Sequence, residues 1–198
     1  MRHFRFKLTL LLFSFVVILS SCDKDENDPT KLESFTVIVD ATSYTDWVYF
    51  SFSAGDEVAV ADPQTSADWD IGIKRNHFKT NSGTSGNGNG GAYDAGVVDF
   101  DTFSQAPADG YTVDTSIDVF DFGTMEYSPE PGNTLLETWG EFTDDMPPTL
   151  VPSDKVFVVK AADGSYAKMI VQNYYGAEGS GYVTFTYAFQ ADGSTNLN

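Results

Sequence analysis

The sequence predicts an all-β fold, an antiparallel two-sheet protein with few or no helices. Three observations carry this reading. Aromatics make up 15% of the chain, and many alternate with small or polar residues, as strands require. The last third shows apolar residues at period two. No long segment shows the 3.6-residue repeat of an amphipathic helix.

The chain opens on Arg2, Arg5 and Lys7, then a mostly apolar run from Leu8 to Leu19. About twelve such residues are too few to span a ~30 Å hydrocarbon core, which needs roughly 20. A basic start, a short apolar run and small residues before a cut are the marks of a secretory signal. Leu19-Ser20-Ser21-Cys22 resembles a lipobox, and Cys22 is the single cysteine of the chain. The expectation is a signal peptide over 1–21, lipidation at Cys22 and a membrane contact made by the lipid anchor alone, since two or more acyl chains hold stably where one does not.

Residues 22–34 form an acidic stretch around Asp23, Asp25, Glu26 and Asp28, which reads as a disordered tether. Asp23, Asp25 and Asn27 lack the glycine and closing glutamate of a calcium loop. Without the signal the chain keeps eight basic against 29 acidic residues, a net charge of −21. That excludes a nucleic-acid partner, which needs a basic footprint, and opposes anionic lipid surfaces. It favours solubility outside the cytoplasm.

Residues 35–198 are long enough for one domain with its own core. Strand candidates are Phe35–Val39, Trp47–Phe52, Glu57–Val60 and Trp69–Lys74. Val156–Lys160 leads into Asp163-Gly164, a hairpin signal, answered by Tyr166–Tyr174. After a glycine-rich turn at 176–181, Val183, Phe185, Tyr187 and Phe189 share one face. These three segments predict a C-terminal meander. Thr134–Phe142 suits a short helix or a strand. The span from Asp121 to Pro152 holds five prolines and reads as long irregular connections, which in compact domains are often functional.

Asp68-Trp69-Asp70-Ile71-Gly72-Ile73-Lys74-Arg75 runs into Thr80-Asn81-Ser82-Gly83 and a glycine-rich stretch to Gly91. It is not a phosphate loop, because no Gly-Lys-Ser/Thr follows and no helix opens after it. Taken alone it suits a flexible loop whose glycines allow left-handed turns. The Trp-Asp-Ile strand with Thr-Asn-Ser-Gly, the lipoprotein start and the strands Tyr166–Met169 and Tyr182–Tyr187 together resemble the HmuY family of Bacteroidetes lipoproteins. The resemblance implies an HmuY-like β domain on the outer membrane, exposed at the cell surface. It implies a haem-binding protein that scavenges haem and passes it to a TonB-dependent outer-membrane receptor. The acidic residues after Cys22 resemble the surface-export signal of such lipoproteins. Studied members hold iron by two His or Met side chains from loops at one end of the sheet.

Axial ligation needs an imidazole, thioether, thiolate or phenolate. After the signal His77 is the one histidine, so two imidazoles from one molecule are excluded. Met169 lies between Ala167 and Val171 on one strand face and reads as core. Met125 and Met146 lie outside periodic segments and are the expected ligand pair, with His77 plus a methionine as the second choice. Two thioethers favour reduced iron. Lys74, Arg75 and Lys79 form the basic cluster that would hold the haem propionates, aided by N–H groups of the glycine loop. Tyr111, Phe120, Phe122, Tyr127 and Trp139 are the candidate walls. An enzyme is not expected: Cys22 would be acylated, His77 lacks partners of a triad, and scattered carboxylates carry no information. Zinc is disfavoured by one histidine and no free cysteine. The competing reading is a surface lipoprotein for carbohydrate or protein ligands, with Trp47 or Trp139 as an exposed stacking platform.

Overall fold

The computed structural model describes residues 31–121 and 124–198. The signal, Cys22, most of the tether and Phe122 lie outside the described residues. Thirteen strands are seen among these residues, in chain order β1 Ser34–Asp40, β2 Val48–Ser51, β3 Asp56–Val58, β4 Ile71–Lys74, β5 His77–Thr80, β6 Gly91–Gly96 and β7 Thr115–Asp121. They continue as β8 Glu126–Gly132, β9 Gly140–Phe142, β10 Leu150–Pro152, β11 Val156–Lys160, β12 Tyr166–Gly176 and β13 Gly179–Gln190. One 3₁₀ turn, Leu136–Trp139, precedes β9. The all-β expectation holds.

The period-two segments form the larger sheet. Its order is β1-β13-β12-β11-β6, antiparallel at each step. The second sheet is β3-β2-β4-β5. Their inner faces share one core: Phe50, Ile71, Ile73 and Phe78 from the smaller sheet, Val39, Phe157, Met169, Val183, Phe185 and Tyr187 from the larger. Phe50 meets Phe185 edge-on at 5.3 Å and Tyr187 at 5.6 Å between ring centres, a favoured aromatic geometry. Met169 is fully buried there, as its strand neighbours imply.

The other face of the larger sheet is covered too. Val158, Ala106 and Leu197 pack with Tyr93, Tyr111 and Tyr166. The buried Lys168 ammonium on β12 donates to the carbonyls of Phe100 and Phe103 at 2.9 and 2.8 Å, fixing the covering segment. Double coverage explains why β11 reads as an unbroken apolar run rather than an alternating one.

The stretch from Asp121 to Pro152 is more regular than its prolines suggest. β7 and β8 pair as a two-stranded ribbon, with Asp118 opposite Pro129 and Ser116 opposite Pro131. Proline lacks the ladder N–H, so an edge is where it is tolerated. β9 and β10 form a second short ribbon. Thr134–Phe142 satisfies both readings, a 3₁₀ turn followed by a strand.

The glycine-rich segment is not a free loop. It winds around the fully buried Asn81. Asn81 Nδ2 donates to the carbonyls of Ser66 and Trp69, both at 2.9 Å, and its Oδ1 accepts the Gly88 N–H at 3.0 Å. A Cβ on Gly88 would sit 2.6 Å from the Asn81 carbonyl oxygen. Gly83 has φ +53 and passes against the Asp114 backbone. Asp114, itself buried, accepts from the Thr80 N–H and hydroxyl at 2.8 and 2.6 Å and from Asn133 at 2.8 Å. Asp70 joins the sheets by accepting the N–H groups of Phe52 and Ala162 at 2.8 and 2.9 Å. The Trp-Asp to Thr-Asn-Ser-Gly block is therefore a structural joint.

Candidate functional site

β4 and β5 meet in a two-residue turn, Arg75-Asn76, with Lys74 paired to His77. Arg75 takes φ 54, rare for a side-chain-bearing residue. Several contacts hold it there. Its N–H donates to the Ala41 carbonyl at 2.9 Å. Its guanidinium donates to the carbonyls of Thr42 and Ser180 and to the Ser180 hydroxyl at 3.0, 3.0 and 2.6 Å. Tyr44 stacks on it at 4.4 Å. Trp139 Nε1 fixes the next residue by donating to the Asn76 carbonyl at 2.8 Å.

This turn forms the floor of a cleft at one end of the sheets. The cleft comprises two adjoining hollows of about 420 and 410 Å³ that share Tyr44, Lys74, Val119 and Phe120. Lys74, Arg75, Asn76 and His77 line the floor. Val119, Phe120 and Tyr127 come from the β7–β8 ribbon, Phe142 and Pro148 from the β9–β10 ribbon, and Tyr174, Tyr175 and Ser180 from the β12–β13 hairpin. Tyr175 OH accepts the Leu150 N–H at 2.7 Å and so ties the β9–β10 ribbon to the large sheet.

The three basic residues expected to cluster have separate surroundings. Lys74 is buried, and its ammonium binds both oxygens of Glu130, at 2.6 and 2.5 Å. Arg75 forms no salt bridge among the described residues, so its charge is the uncompensated one on the floor. Lys79 lies outside the cleft lining. Its Nζ donates to Tyr49 OH at 3.0 Å and sits 4.3 Å from the Trp47 ring centre and 5.6 Å from that of Trp69. Burial pushes the Lys79 ammonium down to about 8.

His77 lines the cleft with 14% of its side chain exposed. Its Nδ1 lies 2.7 Å from Glu137 Oε2, and Glu137 Oε1 accepts the Phe78 N–H at 3.2 Å. Met125 lies at the tip of the β7–β8 ribbon with φ 60 and 67% exposure. Met146 lies in the β9–β10 loop at 91% exposure. The two methionines thus occupy the ends of the two ribbons whose Phe120, Tyr127, Phe142 and Pro148 wall the cleft. A bulky apolar residue held exposed in a left-handed conformation is a strained arrangement that packing does not explain.

Among the candidate walls, Phe120 and Tyr127 line the cleft. Tyr111 instead packs with Tyr93 and Tyr166 on the far face of the large sheet. Trp139 is core, 2% exposed, and Trp47 lies against the ammonium groups of Lys74 and Lys79. Trp139 therefore offers no stacking platform. Tyr44, Tyr174, Tyr175 and Ser180 carried no sequence signal, because segments distant in the chain bring them together. Glu137 had a weak one, an acidic residue between Leu136 and Trp139 in the segment of uncertain type.

The cleft combines aromatic and apolar walls with a guanidinium that forms no salt bridge among the described residues, and neither Met125 nor Met146 is among the residues that line it. The HmuY protein family model matches residues 43–187. The chain belongs to the HmuY family. Solved structures agree. A protein described as HmuY-like and heme-binding from Bacteroides vulgatus shares 30% identity over 82% of this chain and 94% of its own, with a TM-score of 0.62. A protein described as a lipoprotein from Bacteroides fragilis shares 27% identity over 78% and 90% of the two chains, with a TM-score of 0.60. The apo form of an HmuY analogue from Tannerella forsythia shares 25% identity over 81% and 97%, with a TM-score of 0.65. No curated protein matches the chain. In this HmuY family member the matched region runs from the residue before Tyr44 to Tyr187, and so takes in every residue lining the cleft.

Proposed function

We propose that the cleft binds haem, and that the chain is a lipid-anchored surface protein that scavenges haem for a TonB-dependent outer-membrane receptor. The observation that carries the binding reading is the pair of exposed methionines at the ends of the two ribbons that wall one cleft. Family membership and a relative described as heme-binding support it. The residues fit the group. Val119, Phe120, Tyr127 and Phe142 suit a porphyrin face, Arg75 suits a propionate, and Met125 and Met146 suit iron. Bound haem supplies an iron centre that accepts two axial ligands. The protein's part is to hold the ring, neutralise its acid edge and exclude water.

Lys74 serves this site through Glu130, its charge already spent on that pair. Lys79 supports the floor from behind, by bracing Tyr49 and Trp47. Anchoring at Cys22 and delivery to a receptor belong to the same reading, resting on the lipobox-like start and on a relative described as a lipoprotein.

Haem titration tests the reading. Micromolar protein should shift the Soret band of added hemin, and Met125→Ala or Met146→Ala should weaken binding about 10-fold or more, roughly 1.4 kcal/mol. A free-hemin spectrum that stays unchanged with the wild-type chain overturns it.

A further inference from the structure

The outer strands of the two main sheets differ in how their edges are closed. At β6, Ala92 exchanges both backbone hydrogen bonds with Thr112, at 2.9 and 2.8 Å. At β5, the Phe78 carbonyl accepts the Asn133 N–H at 3.0 Å, and the N–H groups of Phe78 and Thr80 donate to Glu137 and Asp114 at 3.2 and 2.8 Å. β3 is three residues long and carries Asp56 and Glu57, both exposed. Short length, charge and covering segments are the usual protections of a sheet edge. β1 has none of them. It pairs with β13 over seven residues without a bulge, and it has no partner on its other side among the described residues. Every second residue of such a strand turns its N–H and C=O outward. Ser34 to Val39 hold no charge and no proline, and Phe35 and Ile38 are 44% and 68% exposed.

We propose that β1 is the contact through which two copies of this chain associate, pairing antiparallel about a twofold axis so that two five-stranded sheets become one. The inference goes beyond the haem reading and does not depend on it.

Three observations favour a second copy as the occupant. First, Phe35, Val37 and Val39 share one side of β1, and Phe35 packs on Tyr187 at 5.7 Å at the rim of the core. An antiparallel copy lays its own aromatic and β-branched side chains beside this row, the cross-strand pairing that stabilises sheets. Second, Asp40 closes the strand at one end. Antiparallel pairing keeps the two Asp40 carboxylates at opposite ends of the contact, where parallel pairing would set them side by side. Third, the chain's own preceding residues do not suit the edge. Asp23-Lys24-Asp25-Glu26-Asn27-Asp28-Pro29 is made throughout of residue types depleted in strands. A net charge of −18 opposes two copies at long range, but physiological salt screens that repulsion beyond about 8–10 Å, and β1 is neutral up to Asp40. β1 runs directly into Ala41 and Thr42, whose carbonyls hold Arg75, so the pairing also braces the cleft floor.

The test uses the full chain without haem, in analytical ultracentrifugation from about 1 to 100 µM. The wild type should pass from one copy towards two across that range, and added salt should strengthen the association by screening the like charges. Amide hydrogen exchange should show alternate β1 amides gaining protection as concentration rises. Thr36→Lys/Ile38→Lys places like charges opposite one another in an antiparallel β1 pair. Both side chains are exposed, so the fold should persist by circular dichroism while association weakens at least 10-fold, although the variant carries less net negative charge. A wild type that stays monomeric over the range, a complex that salt dissolves, or a double variant that dimerises like the wild type overturns the proposal. Hemin titration reads the haem site separately, so either reading can fail without the other.

Discussion

Lys79 is a cation enclosed by aromatic faces. Trp47, Tyr49 and Trp69 surround its Nζ. Such faces attract a cation, yet the loss of water outweighs them, and the ammonium titrates at about 8 where an exposed lysine needs about 10.4. Between those values the unfolded chain binds more protons than the folded one, so stability rises with pH across that window. Lys168, also pushed down by burial, adds the same sign. Above about pH 10 the sign reverses. Half-buried Tyr49 and Tyr111 and buried Tyr174 resist ionisation because burial penalises the phenolate, while the unfolded chain loses those protons freely. The melting temperature should climb from pH 8 to about 10 and then drop. Lys79→Met should keep only the smaller climb due to Lys168. Equal slopes in melting curves of the two proteins would contradict this account. Nothing in the basic run Lys74, Arg75, Lys79 distinguished these fates. Strand alternation and the turn at Arg75-Asn76 sort them, one to a carboxylate, one to stacked rings in the cleft and one to an inner cage.

The glycine-rich segment shows what one buried amide does for an element. The Asn81 side chain makes three hydrogen bonds, and its removal strands two carbonyls and an N–H. Asn81→Ala should cost about 2–4 kcal/mol in chemical denaturation. Gly88→Ala, which forces a methyl against the Asn81 carbonyl, should cost about 1–3 kcal/mol. If both variants denatured like the wild type, the loop would be the loose one that its composition suggests. Composition reports the glycines but not what they close upon, so tight winding and slack look alike in sequence. The C-terminal meander was legible because β12 and β13 alternate over long runs. The β7–β8 ribbon was not. Its inward residues are few, Ile117 and Val119 on β7, and Pro129 and Pro131 read as breakers although an edge accommodates them. β9 and β10 are too short to show a period.

At the scale of the molecule, two sheets share one core, and the cleft opens where their ends and two ribbons meet. Phe185 stands at the centre of that core against Phe50 and Tyr187. Phe185→Ala should cost about 3–5 kcal/mol, whereas Met169→Leu should cost under about 1.5 kcal/mol and leave a haem spectrum untouched. Denaturant midpoints and hemin titration check both, and a spectral change in Met169→Leu would move the iron site into the core. His77, Arg75 and Lys74 were legible as neighbours because they adjoin in sequence. Tyr44, Tyr174 and Ser180 join them only through the pairing of β1, β12 and β13, which no local pattern encodes. The acidic balance leaves the floor of the cleft unread, since a single guanidinium is lost in a net charge of −18.

The winding around Asn81 also bears on how the chain ages. Asn87-Gly88 and Asn89-Gly90 are the dipeptides in which asparagine most readily cyclises to a succinimide, by attack of the following glycine nitrogen on the side-chain amide. Here the Gly88 nitrogen donates to the Asn81 side chain and the Gly90 nitrogen to its carbonyl, at 3.0 Å each. Both nucleophiles are thus engaged as hydrogen-bond donors. The folded chain therefore ties up, by hydrogen bonding, the two nitrogens that would drive slow isomerisation once unwound, and its chemical clock is slowed by geometry.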